Sequence, residues 1–137
     1  MPTNIYIIED HPVTGEVLQT FLQKSSEWNI AGLARTGEEA LAAQINTVAD
    51  LVLVDLSLPD MSGIQLLQEL HDRYPTLPCL VFSSYQDAAH ICRALQAGAK
   101  GYAVKDEAMG LISAMQHVLA GETYLSERAR QELAAFA

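Results

Sequence analysis

Short apolar runs in this chain end repeatedly in residues that can do chemistry. Glu9 and Asp10 follow Ile5–Ile8, Asp55 follows Leu51–Val54, Ser83 and Ser84 close Cys79–Phe82, and Lys105 follows Gly101–Val104. Three carboxylates brought together repel one another and raise their own pKa values unless a cation sits among them. Mg²⁺ suits that place, being a hard cation that takes oxygen ligands and is commonly held by a few carboxylates and a phosphate. A carboxylate can also attack a phosphoryl group and become an acyl phosphate. The charge on the transferring oxygens then needs a clamp, which Mg²⁺, the Lys105 ammonium and a Ser83 hydroxyl together provide. Each residue alone has a plainer reading: an acidic pair caps a helix, a lone Asp sits in a loop, and a lysine is solvated. It is their joint position at strand ends that points to phosphoryl chemistry.

These residues converge only if the strands lie side by side. The apolar pattern alternates between short runs and helical spacing: a strand at 4–8, a helix at 11–24 with Val17, Leu18, Phe21 and Leu22 on one face, and a strand at 29–34. A helix after Gly37 carries Leu41, Ile45 and Val48. Then come the unbroken run 50–54, a helix with Leu66, Leu67 and Leu70, a fourth strand at 79–82, a helix at 86–97 and a fifth strand at 101–104. A helix at 108–120 closes on Gly121. Strands that alternate with helices build a parallel sheet covered on both faces. The expected fold is therefore a doubly wound, three-layer α/β sandwich with a five-stranded parallel sheet in the flavodoxin-like order 2-1-3-4-5. Such sheets form their sites at the carboxyl ends of the strands, where the order reverses.

Composition narrows the remaining classes. The 137 residues suit one domain, half of them are hydrophobic, and no apolar run approaches the about 20 residues needed to span a bilayer. The first ten residues reach acidic side chains too early for a secretory signal, so a cytoplasmic protein with no membrane contact is expected. Two cysteines, Cys79 and Cys92, give neither a disulfide framework nor a metal-ligand spacing. A net charge of −9 with eight scattered basic residues argues against direct nucleic-acid binding by this segment.

The strings Ile-Glu-Asp-His-Pro-Val from Ile8, Asp-Leu-Ser-Leu-Pro-Asp-Met-Ser-Gly from Asp55, Val-Phe-Ser-Ser-Tyr from Val81 and Gly-Ala-Lys-Gly-Tyr-Ala-Val-Lys-Asp from Gly98 resemble the receiver domain of bacterial response regulators. The Asp-His-Pro start and the ending Val-Leu-Ala-Gly-Glu-Thr-Tyr-Leu-Ser further resemble its NarL/FixJ (LuxR-like) branch. The resemblance implies that Asp55 is the phosphoacceptor and that Glu9, Asp10, Asp55 and the backbone carbonyl of Ser57 hold Mg²⁺. It makes Ser83 the switch hydroxyl, Lys105 the phosphate-contacting lysine, and Tyr102 an aromatic that turns inward when Ser83 moves toward the phosphate. Ser57 and Tyr85 would border the route of the attacking water and tune the phosphoryl lifetime. The implied partners are a sensor histidine kinase and a second copy in a homodimer. DNA would be bound through a C-terminal domain beyond this chain.

His11 reads as part of helix initiation, with Pro12 suited to the first helical position. His71, His90 and His117 read as surface histidines, Trp28 as a packing residue, and Asp60 as a loop residue without chemical role. A P-loop and a dinucleotide fingerprint are absent, and the cobalamin-binding pattern has the wrong spacing. An aspartyl phosphatase would want a second aspartate at position 57, where Ser57 stands. Residues 1–121 are expected to form the receiver. Residues 122–137, with Ser126 as helix cap and Leu125, Leu133 and Phe136 apolar, are expected to be a linker toward an effector domain or an extra helix. The other reading is a stand-alone receiver that serves as a phosphoryl acceptor or interaction module.

Overall fold

The structure, a computed structural model, describes residues 2–136 and the side chains up to Ala135. Its strands are β1 (Thr3–Ile8), β2 (Trp28–Ala34), β3 (Leu51–Val54), β4 (Cys79–Ser83), β5 (Gly101–Val104) and β6 (Tyr124–Leu125). Its helices are α1 (Pro12–Gln23), α2 (Gly37–Ala42), α3 (Gly63–Arg73), α4 (Ala88–Gln96), α5 (Leu111–Leu119) and α6 (Glu127–Phe136). The sheet is parallel throughout, in the order β2-β1-β3-β4-β5-β6. The expected five-strand order is present, and one further strand is added at the β5 edge. β6 has only two residues, too short to leave an alternating pattern in the sequence; its register, Gly101↔Tyr124 and Tyr102↔Leu125, comes from β5.

Successive side chains of a strand face opposite sides, so each strand serves two cores. Tyr6, Ile8, Val52, Val54, Val81 and Tyr102 pack with α2, α3, α4 and α6 residues on one face. Ile5, Ile7, Leu51, Leu53, Leu80 and Phe82 pack with α1 and α5 residues on the other. Double coverage explains why β3 is an unbroken apolar run, all four residues buried. Trp28 is buried in the second core, in keeping with a packing role.

Three helices depart from the expected pattern. In α1, Leu18 and Leu22 are buried, whereas Val17 and Phe21 point outward and are 61% and 41% exposed. Rows one residue apart differ by about 100° around a helix, and the sheet covers only the first row. The second helix stops at Ala42; Gln44 adopts a left-handed φ of 51°, and a separate 3-10 turn at Ile45–Thr47 buries Ile45 but leaves Val48 exposed. The expected helix at 108–120 begins as a 3-10 segment, Lys105–Gly110, and becomes α-helical only at Leu111. Gly121, at φ +89°, ends α5 as its position suggests.

Beyond Gly121 the chain turns back along the sheet. The Tyr124 N–H donates to the Lys100 carbonyl at 3.1 Å, and that of Ser126 to the Tyr102 carbonyl at 3.0 Å. The Ser126 hydroxyl accepts from the Ala129 N–H at 3.4 Å as the cap of α6. Ala129 is fully buried, and Leu125 and Leu133 pack on the same core. The side chain of Phe136 lies outside the described residues.

Candidate phosphoacceptor site

Backbone pairing brings the strand ends to one rim. The Asp55 N–H donates to the Ile8 carbonyl, and that of Glu9 to the Ala34 carbonyl, each at 2.9 Å. Just past the end of β3 the chain folds into a tight loop: Gly63 N–H returns to the Leu56 carbonyl at 3.1 Å, and Ser62 caps α3 through Ile64 N–H. A Cβ on Gly63 would stand 2.4 Å from Leu56 Cα, so only glycine allows this return. Pro59 and Gly63 thus shape the loop that carries Ser57, whose N–H donates to Asp55 Oδ1 at 3.3 Å.

Glu9 and Asp55 are buried, and the Lys105 Nζ lies between them, 2.9 Å from Glu9 Oε1 and 3.4 Å from Asp55 Oδ2. One ammonium faces two carboxylates, so the site carries an excess of negative charge. Burial, reinforced by the neighbouring Glu9, pushes the Asp55 pKa up to about 6 against the opposing pull of Lys105 and the Ser57 N–H. Burial also acts upward on Glu9, but hydrogen bonds with Asp55, Lys105 and the His11 backbone hold it below the ordinary value. Two carboxylates pushed apart in this way are short of positive charge, and an oxygen-seeking cation fits them.

His11 completes the cluster. Its Nδ1 is 3.2 Å from Glu9 Oε2 and 3.9 Å from Asp55 Oδ2, and Glu9, His11 and Asp55 form a group able to hold a metal ion. His11 is also the residue before α1, as its Asp-His-Pro context suggests, so the helix start itself aims the imidazole at the rim. Sequence reading missed this because a residue's direction at a helix cap is set by the strand it follows. Asp10 is half-buried and is not one of the three residues that gather.

Ser83 is fully buried, and its hydroxyl accepts from the Tyr85 N–H at 3.1 Å. Tyr102 is also fully buried and already turned inward, its hydroxyl donating to the Tyr85 carbonyl at 2.7 Å. Burial pushes its phenol up to about 12, so it serves as a donor. The outward starting position expected for Tyr102 is therefore not the one seen. Tyr85 stacks flat on His90, ring centroids 4.0 Å apart, and the His90 Nδ1 is held by Asp87 at 2.7 Å. Ser57, Tyr85, His90 and Arg93 line a cleft of about 540 Å³ beside the loop. Asp60, expected to be idle, accepts from the Gly37 and Glu38 N–H groups at 2.9 Å and ties the loop to the start of α2.

The sequence profile described as "Response regulator receiver domain" matches residues 5–116. The chain belongs to this family. It is 39% identical over 122 residues to the uncharacterized transcriptional regulatory protein YhcZ of Bacillus subtilis, covering 89% of this chain and 57% of that one. It is 36% identical to the DNA-binding transcriptional activator DevR/DosR of Mycobacterium tuberculosis, over 96% of this chain and 61% of that one. It is 32% identical to the nitrate/nitrite response regulator NarL of Escherichia coli K12, over 98% and 62%. This receiver domain thus spans about three fifths of the relatives' length, 57–62%. Among solved structures, a LuxR-family response regulator from Aurantimonas sp. superposes with a TM-score of 0.93 at 27% identity, covering 99% and 98% of the two chains. The RcsB response regulator of Salmonella typhimurium, at 22% identity and a TM-score of 0.89 over 98% of this chain and 67% of that one, shares the fold. The receiver is of the LuxR/NarL type, and the relatives YhcZ and DevR/DosR are described as transcriptional regulators.

Proposed function

We propose that Asp55 accepts a phosphoryl group from a phosphohistidine on a sensor histidine kinase, and that the resulting acyl phosphate switches the domain. The observation that carries this reading is the buried Asp55 carboxylate at the end of the central strand, beside Glu9 and joined to it through the Lys105 ammonium. An Asp55 carboxylate oxygen forms the new bond to phosphorus as the nitrogen–phosphorus bond breaks, and the departing imidazole keeps the electron pair and takes up a proton. Lys105 follows the charge from the carboxylate to the phosphoryl oxygens, and Ser83 exchanges the Tyr85 N–H for a phosphoryl oxygen to which it donates. Mg²⁺, when bound, neutralises the phosphoryl oxygens and the carboxylates together. Glu9, Asp10, Asp55 and the Ser57 carbonyl would hold it, with His11 adjacent. Ser57 and Tyr85 flank the cleft through which water reaches the acyl phosphate, and so set its lifetime.

The kinase contact is supported by a second feature. Val13, Val17, Phe21 and Met109 are 72%, 61%, 41% and 96% exposed and border an apolar groove of about 430 Å³ that Lys105 also lines. A partner seated there presents its phosphoryl group beside Asp55, and burial of this patch favours association. Output passes to an effector region of the kind the relatives' names indicate, binding DNA, with control exerted through domain contacts or a homodimer. Incubation with acetyl phosphate and Mg²⁺ tests the core of the reading. One base-labile phosphoryl group on Asp55 is expected, and undiminished labelling of Asp55→Asn would refute it, because an amide is not this nucleophile.

A further inference from the structure

Lys105, Asp106 and Glu107 are consecutive, yet their side chains reach three separate parts of the molecule. Lys105 binds Glu9 and Asp55 in the site. Asp106 Oδ2 accepts from Gln86 Nε2 at 2.6 Å, in the loop that follows Ser83 and contains Tyr85. Glu107 Oε2 accepts from the backbone N–H of Arg128 at 3.1 Å, in the first turn of α6. A non-helical backbone at Glu107, φ −112° and ψ 42°, interrupts the 3-10 segment and sends this side chain toward α6.

The first turn of a helix has N–H groups with no partner inside the helix. In α6 the local cap, Ser126, supplies only one acceptor oxygen, to Ala129. The Arg128 N–H depends on Glu107, whose negative charge also suits the positive end of a helix. The same turn is joined to the switch residue, since Ser126 N–H is bonded to the Tyr102 carbonyl and Ala129 is buried in the core that holds Tyr102.

We propose that Glu107 is a latch on α6, closed while Lys105 bridges Glu9 and Asp55 and loosened when Lys105 turns to a phosphoryl group. This rests on the reading of Asp55 as the phosphoacceptor. Lys105 and Glu107 stand two residues apart at the break in the 3-10 segment, so a change of partner at Lys105 shifts the backbone turn that aims the Glu107 carboxylate. The helix that loses its cap is the last element of the described chain. The latch therefore converts the charge state of the site into the freedom of that helix, without requiring Tyr102 to rotate.

Hydrogen exchange of the 137-residue chain, with and without Mg²⁺ and beryllofluoride as a phosphoryl analogue, tests the latch. Adding the analogue to wild type should speed exchange at the amides of 127–130 about fivefold, the change expected for loss of one helix cap. Glu107→Ala should exchange at that faster rate without the analogue and change little on its addition. Glu107→Gln, whose amide oxygen can still accept, should behave as wild type, which separates the latch from general damage to the fold. Altered exchange at 83–86 with none at 127–130 would overturn the latch while leaving the Asp55 reading intact. No change in either segment, with binding of the analogue undetectable, would sink the reading of Asp55 and the latch with it.

Discussion

Two aspartates bracket the central strand and experience opposite surroundings. Asp50, just before β3, is exposed, and its carboxylate accepts the Asn4 N–H at 2.8 Å, beside an Asn4–Asn29 side-chain bond of 2.8 Å. Asp55, just after β3, is buried against another carboxylate and shares one lysine with it. At the amino end of the sheet, polar side chains tidy the strand starts and remain in water. At the carboxyl end the fold removes two carboxylates from water and sets a single ammonium between them. A strained charge balance of that kind marks a functional site better than the presence of an acidic residue does.

The largest separation between the two aspartates is expected in phosphoryl transfer. Asp55→Asn should abolish labelling by acetyl phosphate, whereas Asp50→Asn should keep it within about twofold, since its charge is exposed at the far end of the strand. Equal losses in the two variants, measured by intact mass, would erase the distinction. Metal dependence comes next: chelation should stop labelling, and Asp10→Ala should weaken Mg²⁺ binding about tenfold or more. Wild-type Mg²⁺ affinity in that variant, read by calorimetry, would remove Asp10 from the ligand set and leave Glu9, Asp55 and the Ser57 carbonyl, with His11 adjacent.

The pH dependence of stability sharpens the comparison further. Asp55 binds its proton more tightly in the folded chain than in the unfolded one, where its pKa lies near 3.8. Its contribution is present below that value and is lost as pH rises through about 6. Metal-free protein should therefore lose stability across this window, and Asp55→Asn at pH 7 should be more stable than wild type by roughly 1–3 kcal/mol. Urea titrations at a series of pH values measure both; a steeper loss in Asp55→Asn than in wild type would contradict the assignment. The smallest effect is expected at Tyr102→Phe, which removes the bond to the Tyr85 carbonyl and should cost about 1 kcal/mol while labelling continues. Ser83→Ala should likewise still be labelled but lose most of the amide-shift response around Tyr102. A full response there would break the proposed relay.

Much of this receiver could be read from local pattern. The runs before Glu9, Asp55, Ser83 and Lys105 are short, apolar and separated by helical spacing, and such signals depend on neighbours in the sequence alone. The meeting of Glu9, Asp55 and Lys105 at one rim followed, because a parallel sheet sends every strand's carboxyl end the same way. Tertiary structure decided the rest. Val17 and Phe21 have the spacing of core residues, and only the width of the sheet leaves them outside. The imidazole of His11 gathers with Glu9 and Asp55, although its place before α1 suggested only helix initiation, because the direction of a side chain after β1 is set by what packs across the sheet. The two-residue strand β6 exists only where β5 offers an open edge. Asp106 and Glu107 look like ordinary surface acids until the fold sets them against Gln86 and Arg128, contacts spanning 20 and 21 residues that no local pattern records.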